Sequence, residues 1–129
     1  HHWRDGQVKV FLTEKALAFR KAHAGLFAQG EYIPLSAEGK RAGNIVAFCR
    51  RSGSDWAIVL APRLPAQLSV VVRPPIGMRA WRDTTVVLPE GAPVRWRNVI
   101  TGEPLNCPGG RLPLYRALDH FPVGLLSGR

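Results

Sequence analysis

A change of hydrophobic period near residue 30 constrains this chain more than any other feature of it. From Val8, apolar residues recur at Phe11, Leu12, Ala16, Phe19 and Ala22 or His23, the i, i+3, i+4 spacing of one helix face. Asp5 stands where an N-cap belongs, and Gly25 stands where a left-handed cap can end the helix. Leu26 and Phe27 are expected to fold back as an apolar plug. At Gly30-Glu31-Tyr32-Ile33-Pro34-Leu35 the chain passes into a first strand, with Tyr32 and Leu35 expected on one face. Val10 and Leu17 fall on a second face of the helix. It therefore has more apolar surface than one neighbour covers, and is expected to lie between two packed bodies.

Beyond this junction the sequence reads as short strands punctuated by glycine and proline. Asn44 to Arg50 and Trp56 to Leu60 are nearly continuous apolar runs joined by the turn Ser52-Gly53-Ser54-Asp55. Both are predicted to be central strands covered on two faces. Pro34 confines the first strand to an edge. Two proline-rich breaks, Pro62-Arg63-Leu64-Pro65 and Pro74-Pro75-Ile76-Gly77, flank an apolar segment from Leu68 to Val72. Further strands are predicted at Thr84 to Leu88, Val94 to Val99 and Phe121 to Leu126, with a short helix from Leu112 to Leu118. The expected fold is mainly β: an antiparallel β-sandwich preceded by one long N-terminal amphipathic helix. The helix occupies residues 1–28 and the sandwich residues 29–129.

Composition sets outer limits. A chain of 129 residues that is 46% hydrophobic holds one compact domain with a real core. Its net charge of +9 raises the question of a polyanion partner. The Arg and Lys residues are scattered, however, with only short pairs at Arg20-Lys21, Lys40-Arg41 and Arg50-Arg51 and no run interleaved with aromatics. The reading is a solvated, arginine-rich surface with no nucleic-acid partner; a basic nucleic-acid-binding β-barrel is the alternative prompted by charge alone. No apolar run approaches the ~20 residues of a membrane helix, so no membrane partner is expected. The opening His1-His2-Trp3-Arg4 shows no apolar leader. Cys49 and Cys107 read as free thiols of a cytoplasmic protein, with a single disulfide as the alternative. Without a CxxC or a Cys/His cluster, no metal and no cofactor is expected.

Nor do the residues assemble a catalytic set. The acids Asp5, Glu14, Glu31, Glu38, Asp55, Asp83, Glu90, Glu103 and Asp119 fall in turns, caps or a solvated helix face, and no two of them form a pair. His23 suits the end of a helix, where its charge favours the dipole. Ser52, Ser54 and His120 make no nucleophile arrangement, and Gly109-Gly110 is a turn, since no phosphate-loop helix follows. No catalytic residue is assigned. Trp56, inside an apolar strand, is expected in the core. Trp81 and Trp96, beside arginines, are the candidates for stacking on a sugar ring.

Read together, Leu17, Arg20, Lys21, His23 and Leu26, then Gly30, Tyr32 and Leu35, resemble the junction at which the last barrel helix of an α-amylase-superfamily enzyme enters its C-terminal β domain. The strand ending Ala47-Phe48-x-Arg50 is similar too. Within the superfamily the chain resembles the maltooligosyltrehalose synthase family. The similar features are Asp5-Gly6-x-Val8-Lys9, Phe27-Ala28-x-Gly30-Glu31-Tyr32-x-Pro34-Leu35, Pro62-Arg63-Leu64, Trp81-Arg82-Asp83-Thr84, Val87-Leu88-Pro89, Thr101-Gly102-Glu103 and Phe121-Pro122-Val123-Gly124-Leu125-Leu126. Ala24 stands where the family commonly has proline, and Cys49 where it has a small apolar residue. The resemblance implies a parent that isomerises the reducing-end α-1,4 bond of a maltooligosaccharide to α-1,1, using barrel carboxylates outside this chain. It implies a non-catalytic fragment whose partner is the missing catalytic barrel, with maltooligosaccharide as a further possible contact at Trp81 or Trp96. A homodimer through the exposed N-terminal helix is expected where the barrel is absent. The alternatives are an α-glucan-binding β module and the C-terminal domain of another α-amylase-superfamily enzyme.

Overall fold

The computed structural model describes residues 6–62, 81–119 and 123–128, with side chains from residue 14 onward except that of residue 27. The readings made for Asp5, for Leu68 to Val72 and its flanking breaks past Pro62, for Phe121-Pro122, and for the side chains of Val8, Val10, Phe11, Leu12 and Phe27 lie outside the described residues.

Two helices open the chain: α1 from Gly6 to Ala22 and α2 from Ala24 to Gln29. The predicted single helix is interrupted at His23 (φ −122°, ψ 42°), two residues before Gly25, and Gly25 lies inside α2. The His23 ring stacks on Phe19, with centroids 4.3 Å apart. The glycine that the junction requires is Gly30. Its N–H donates to the Leu26 carbonyl at 3.0 Å, and a Cβ there would fall 2.1 Å from that oxygen and 3.1 Å from the carbonyl oxygen of Arg51. Only a residue without a side chain lets the helix turn directly into a strand beside the one that carries Arg51.

Among the described residues eight strands follow: β1 (Glu31–Glu38), β2 (Ile45–Ser52), β3 (Asp55–Pro62), β4 (Thr85–Val87), β5 (Arg95–Asn98), β6 (Pro104–Asn106), β7 (Arg111–Pro113) and β8 (Gly124–Gly128), with a one-turn helix α3 (Leu114–Ala117) before β8. They pair antiparallel in the order β6-β5-β8-β3-β2-β1-β4-β7 and curl into a nearly closed, barrel-like sheet. The mainly β, antiparallel expectation holds. The layers expected of a sandwich are joined through β1, which pairs with β2 over Glu31 to Leu35 and with β4 over Ser36 to Glu38. The edge position predicted for this strand from Pro34 does not hold: β1 lies inside the sheet between β2 and β4, although β4 joins it only beyond Pro34. Two further short strands appear: β6, where no strand was predicted, and β7, which takes the start of the predicted helix. The helix itself shrinks to Leu114–Ala117, because Leu112 is drawn into register with Val86.

The sheet has an inner and an outer face. Inward residues Ile45, Ala47 and Cys49 of β2 and Trp56, Ile58 and Leu60 of β3 join Trp81, Val86, Leu112 and Leu126 in the main core. On the outer face a second cluster forms where Phe19 of α1 and Leu26 of α2 pack on Ala57, Ile100 and Leu125. β3 is thus covered on both faces, as predicted, but β2 is not: Val46 is 39% exposed and Phe48 and Arg50 are half-buried. Tyr32 faces outward opposite Arg50, whereas Leu35 faces the core with its partner Ala47, so the two do not share a face.

Candidate functional site

The carboxylates of Glu31, Glu38 and Asp83 serve local structure. Glu31 of β1 pairs with Arg51 of β2 at 3.2 Å, and Glu38 at the end of β1 pairs with Arg111 of β7. The Asp83 carboxylate accepts the Lys40 backbone N–H at 3.4 Å. Beside it the Thr84 hydroxyl accepts the Arg41 N–H at 2.9 Å, fastening the β1–β2 turn to the approach to β4. Asn98 works in the same way at the end of β5. Its side-chain oxygen accepts the N–H groups of Ile100 and Thr101, and its amide donates to the Ala117 carbonyl. No group of three His, Cys, Asp or Glu able to hold a metal occurs among the described residues.

The thiols are equally structural. Cys49 and Cys107 are both free, both fully buried, and both in the main core. Burial pushes each thiol up to about 11 from an ordinary 9.0; at Cys49 the nearby Arg51 guanidinium offsets part of the rise. A thiol so protonated and so enclosed is a poor nucleophile at neutral pH.

Trp56, Trp81 and Trp96 all lie in the main core. Trp81 is 1% exposed and Trp96 3% exposed. Trp96 packs edge-on against Trp56, with ring centroids 6.4 Å apart, and donates its indole N–H to the Pro93 carbonyl at 2.7 Å. The arginines beside Trp96 point the other way, because β5 alternates exposed and buried residues. Stacking on a sugar needs an open ring face, and neither Trp81 nor Trp96 presents one here.

What the structure leaves open is the outer face of β1 and β2 beside the helices. Tyr32 (55% exposed), Val46 and Phe48 line it, and the Tyr32 and Phe48 rings lie 5.1 Å apart. A groove of about 450 Å³ runs between this strip and α1, lined by Ala16 and Arg20 of the helix and by Phe48, Arg50, Val59 and Leu125 of the sheet. Arg50 donates to the Gly30 carbonyl at 3.1 Å and sits over the Tyr32 ring. The sequence reading missed this surface. The signal was present in β2, where Arg50 alternates in phase with Val46 and Phe48 and so marks their side as reaching water.

Fold and site together define a barrel-like antiparallel β domain with a helical arm, whose open feature is a partly exposed apolar face with no assembled reactive cluster among the described residues. No protein-family profile matches the chain. Two putative maltooligosyl trehalose synthases of Mycobacterium tuberculosis, from strains CDC 1551 and H37Rv, are each 30% identical over 118 residues, which is 92% of this chain and 13% of theirs. A solved structure of a mutant maltooligosyltrehalose synthase from Arthrobacter ramosus superposes with a TM-score of 0.68 at 30% identity, covering 98% of this chain and 15% of that one. The chain therefore matches, over nearly its whole length, a part of maltooligosyltrehalose synthase, and it spans only about an eighth of the length of the curated relatives.

Proposed function

We propose that this chain is the C-terminal β domain, with its preceding helices, of a maltooligosyltrehalose synthase of the α-amylase superfamily, and that it supports the catalytic barrel without doing chemistry itself. The parent reaction would move the reducing-end glucosyl link of a maltooligosaccharide from α-1,4 to α-1,1. The observation that carries this reading is the end-to-end match: 98% of the chain superposes on one 15% stretch of a synthase at 30% identity. The engagement of Glu31, Glu38 and Asp83 in local pairs and turns supports the non-catalytic role. The partner is then the barrel of a synthase-length protein. Where the barrel is absent, the helix surface around Leu17, 58% exposed, is open to a second copy. No helix among the described residues is long and apolar enough to cross a membrane. Two buried free thiols suit the reducing cytoplasm, where we place the protein.

Incubation of the purified 129-residue chain with maltohexaose tests the role. No trehalose-terminated product is expected above a heat-killed control, and product formation would overturn it. An α-glucan-binding module would instead retard on an immobilised starch column, and retardation would replace the supporting role with a binding one.

A further inference from the structure

Trp56 is 5% exposed, yet among the described residues nothing accepts its indole N–H. Trp96 beside it differs, since it spends its N–H on the Pro93 carbonyl. No enclosed side-chain nitrogen or oxygen among the described residues is left without a partner, so the Trp56 N–H is not enclosed and reaches water. Trp56 meets the surface in a hollow of about 520 Å³ at the tip of the β2–β3 hairpin, lined by Arg51, Gly53, Ser54, Trp56, Gly91 and Pro93. A buried indole normally finds a partner for its N–H. Here that partner is left to come from outside the fold.

The rest of the hollow defines what the partner carries. Arg51 lies over the Trp56 ring, 5.2 Å from its centroid, and pairs with Glu31 at 3.2 Å. This pairing already answers the one charged side chain of the lining, so an anion gains little there. The guanidinium still has N–H groups to donate, and the exposed Ser54 hydroxyl both donates and accepts. Gly53 and Gly91 leave the space open, with nothing within 4 Å of where a Cβ would stand, and Pro93 adds an apolar wall. Hydrogen-bonding groups of both kinds, a small apolar surface and a balanced charge match a compact neutral ligand rich in hydroxyls. The volume lies within the roughly 300–1,000 Å³ of small-molecule sites.

We propose that this hollow binds a free saccharide of one or two rings, with a sugar hydroxyl oxygen accepting the Trp56 N–H and Arg51 and Ser54 holding neighbouring hydroxyls. The guanidinium occupies a face of the Trp56 ring, so the sugar is held by hydrogen bonds without stacking. Its affinity falls in the millimolar range, too weak to retain the chain on a starch column, whose chain ends are few. The inference rests on this chain's own residues and is independent of the synthase reading.

Nuclear magnetic resonance of the 129-residue chain tests it at the atom concerned. The Trp56 indole N–H signal is identified by its loss in Trp56→Phe. In deuterium oxide it should exchange at least tenfold faster than the Trp96 signal, and equal protection would overturn the premise that it reaches water. Glucose and maltose, titrated separately, should each shift the Trp56 signal saturably and leave that of Trp96 in place. No saturable shift with either sugar would overturn the site. A saturable shift with sodium phosphate and none with the sugars would overturn the ligand class.

Two variants assign the contacts. Trp56→Phe keeps an aromatic ring in the core and removes the N–H; maltose affinity, read at the Ser54 amide, should fall at least fivefold. Ser54→Ala changes an exposed turn residue, so it should keep the fold and weaken maltose at least threefold, read at the Trp56 indole. Unchanged affinity in Ser54→Ala, or in a folded Trp56→Phe, would overturn the arrangement.

Discussion

At the scale of single residues, the two glycines of the junction exchange the roles their positions suggest. Gly25 sits in a helix with nothing within 4 Å of where a Cβ would be, whereas Gly30 lies against two backbone carbonyls. Gly30→Ala should cost about 1–3 kcal/mol, as overfilling a packed site does. Gly25→Ala should be neutral or stabilise by up to about 1 kcal/mol, since alanine is the better helix residue. Urea unfolding of the two variants checks both. Equal destabilisation would mean that Gly25 caps the helix after all. The thiols make a second residue-scale case. In the fold they hold their protons up to about pH 11, against 9.0 for an ordinary thiol. The unfolded chain therefore loses those protons first. The stabilisation is complete below pH 9 and is lost as pH rises from 9 towards 11. The urea midpoint should fall across that window more steeply in the native chain than in a Cys49→Ala/Cys107→Ala variant.

Among the elements, β2 and β3 look alike in sequence and differ in surroundings. β3 has the core on one side and the α1–α2 contact of Phe19 and Leu26 on the other. β2 has the core on one side and a partly open groove on the other. Ile58→Ala removes a fully buried side chain and should cost about 2–5 kcal/mol. Phe48→Ala, half-buried on the outer face, should cost no more than about 1–2 kcal/mol, the share of its burial that the strand provides. Thermal or urea denaturation separates the two. Equal losses would place Phe48 in a closed core and remove the open face of β2.

For the whole molecule, the consequence of an open face is association. The helix surface around Leu17 shares a shallow depression with Arg20, Lys21, Ala24 and Ala28, so self-association through it must overcome like charges. Raising salt from 50 mM to 0.5 M should therefore promote dimerisation of the 129-residue chain, because the Debye length shrinks from roughly 14 Å towards about 4 Å. Leu17→Lys should abolish it. Sedimentation velocity at several protein concentrations measures both effects. A chain that stays monomeric throughout would show that the Leu17 surface is too small to hold a second copy.

Local patterns along the chain set the order of its elements. Helical periodicity up to His23, the two apolar runs around the Ser52 to Asp55 turn, and the alternation of Arg95, Trp96, Arg97 and Asn98 are local patterns, and local patterns survive into the structure. The resemblance at the junction was legible for the same reason, since it rests on residues close in sequence. Partnerships were not. That β1 divides itself between β2 and β4, that Leu112 is pulled into a strand, and that Trp81 goes to the core depend on distant neighbours: Val86 stands 26 residues before Leu112, and Thr85 47 residues after Glu38. The open face belongs to this second kind. Val46 and Phe48 are as apolar as Ala57 and Leu125, and only the packing of Phe19 and Leu26 onto β3 and β8 decides that one set is buried and the other left partly open.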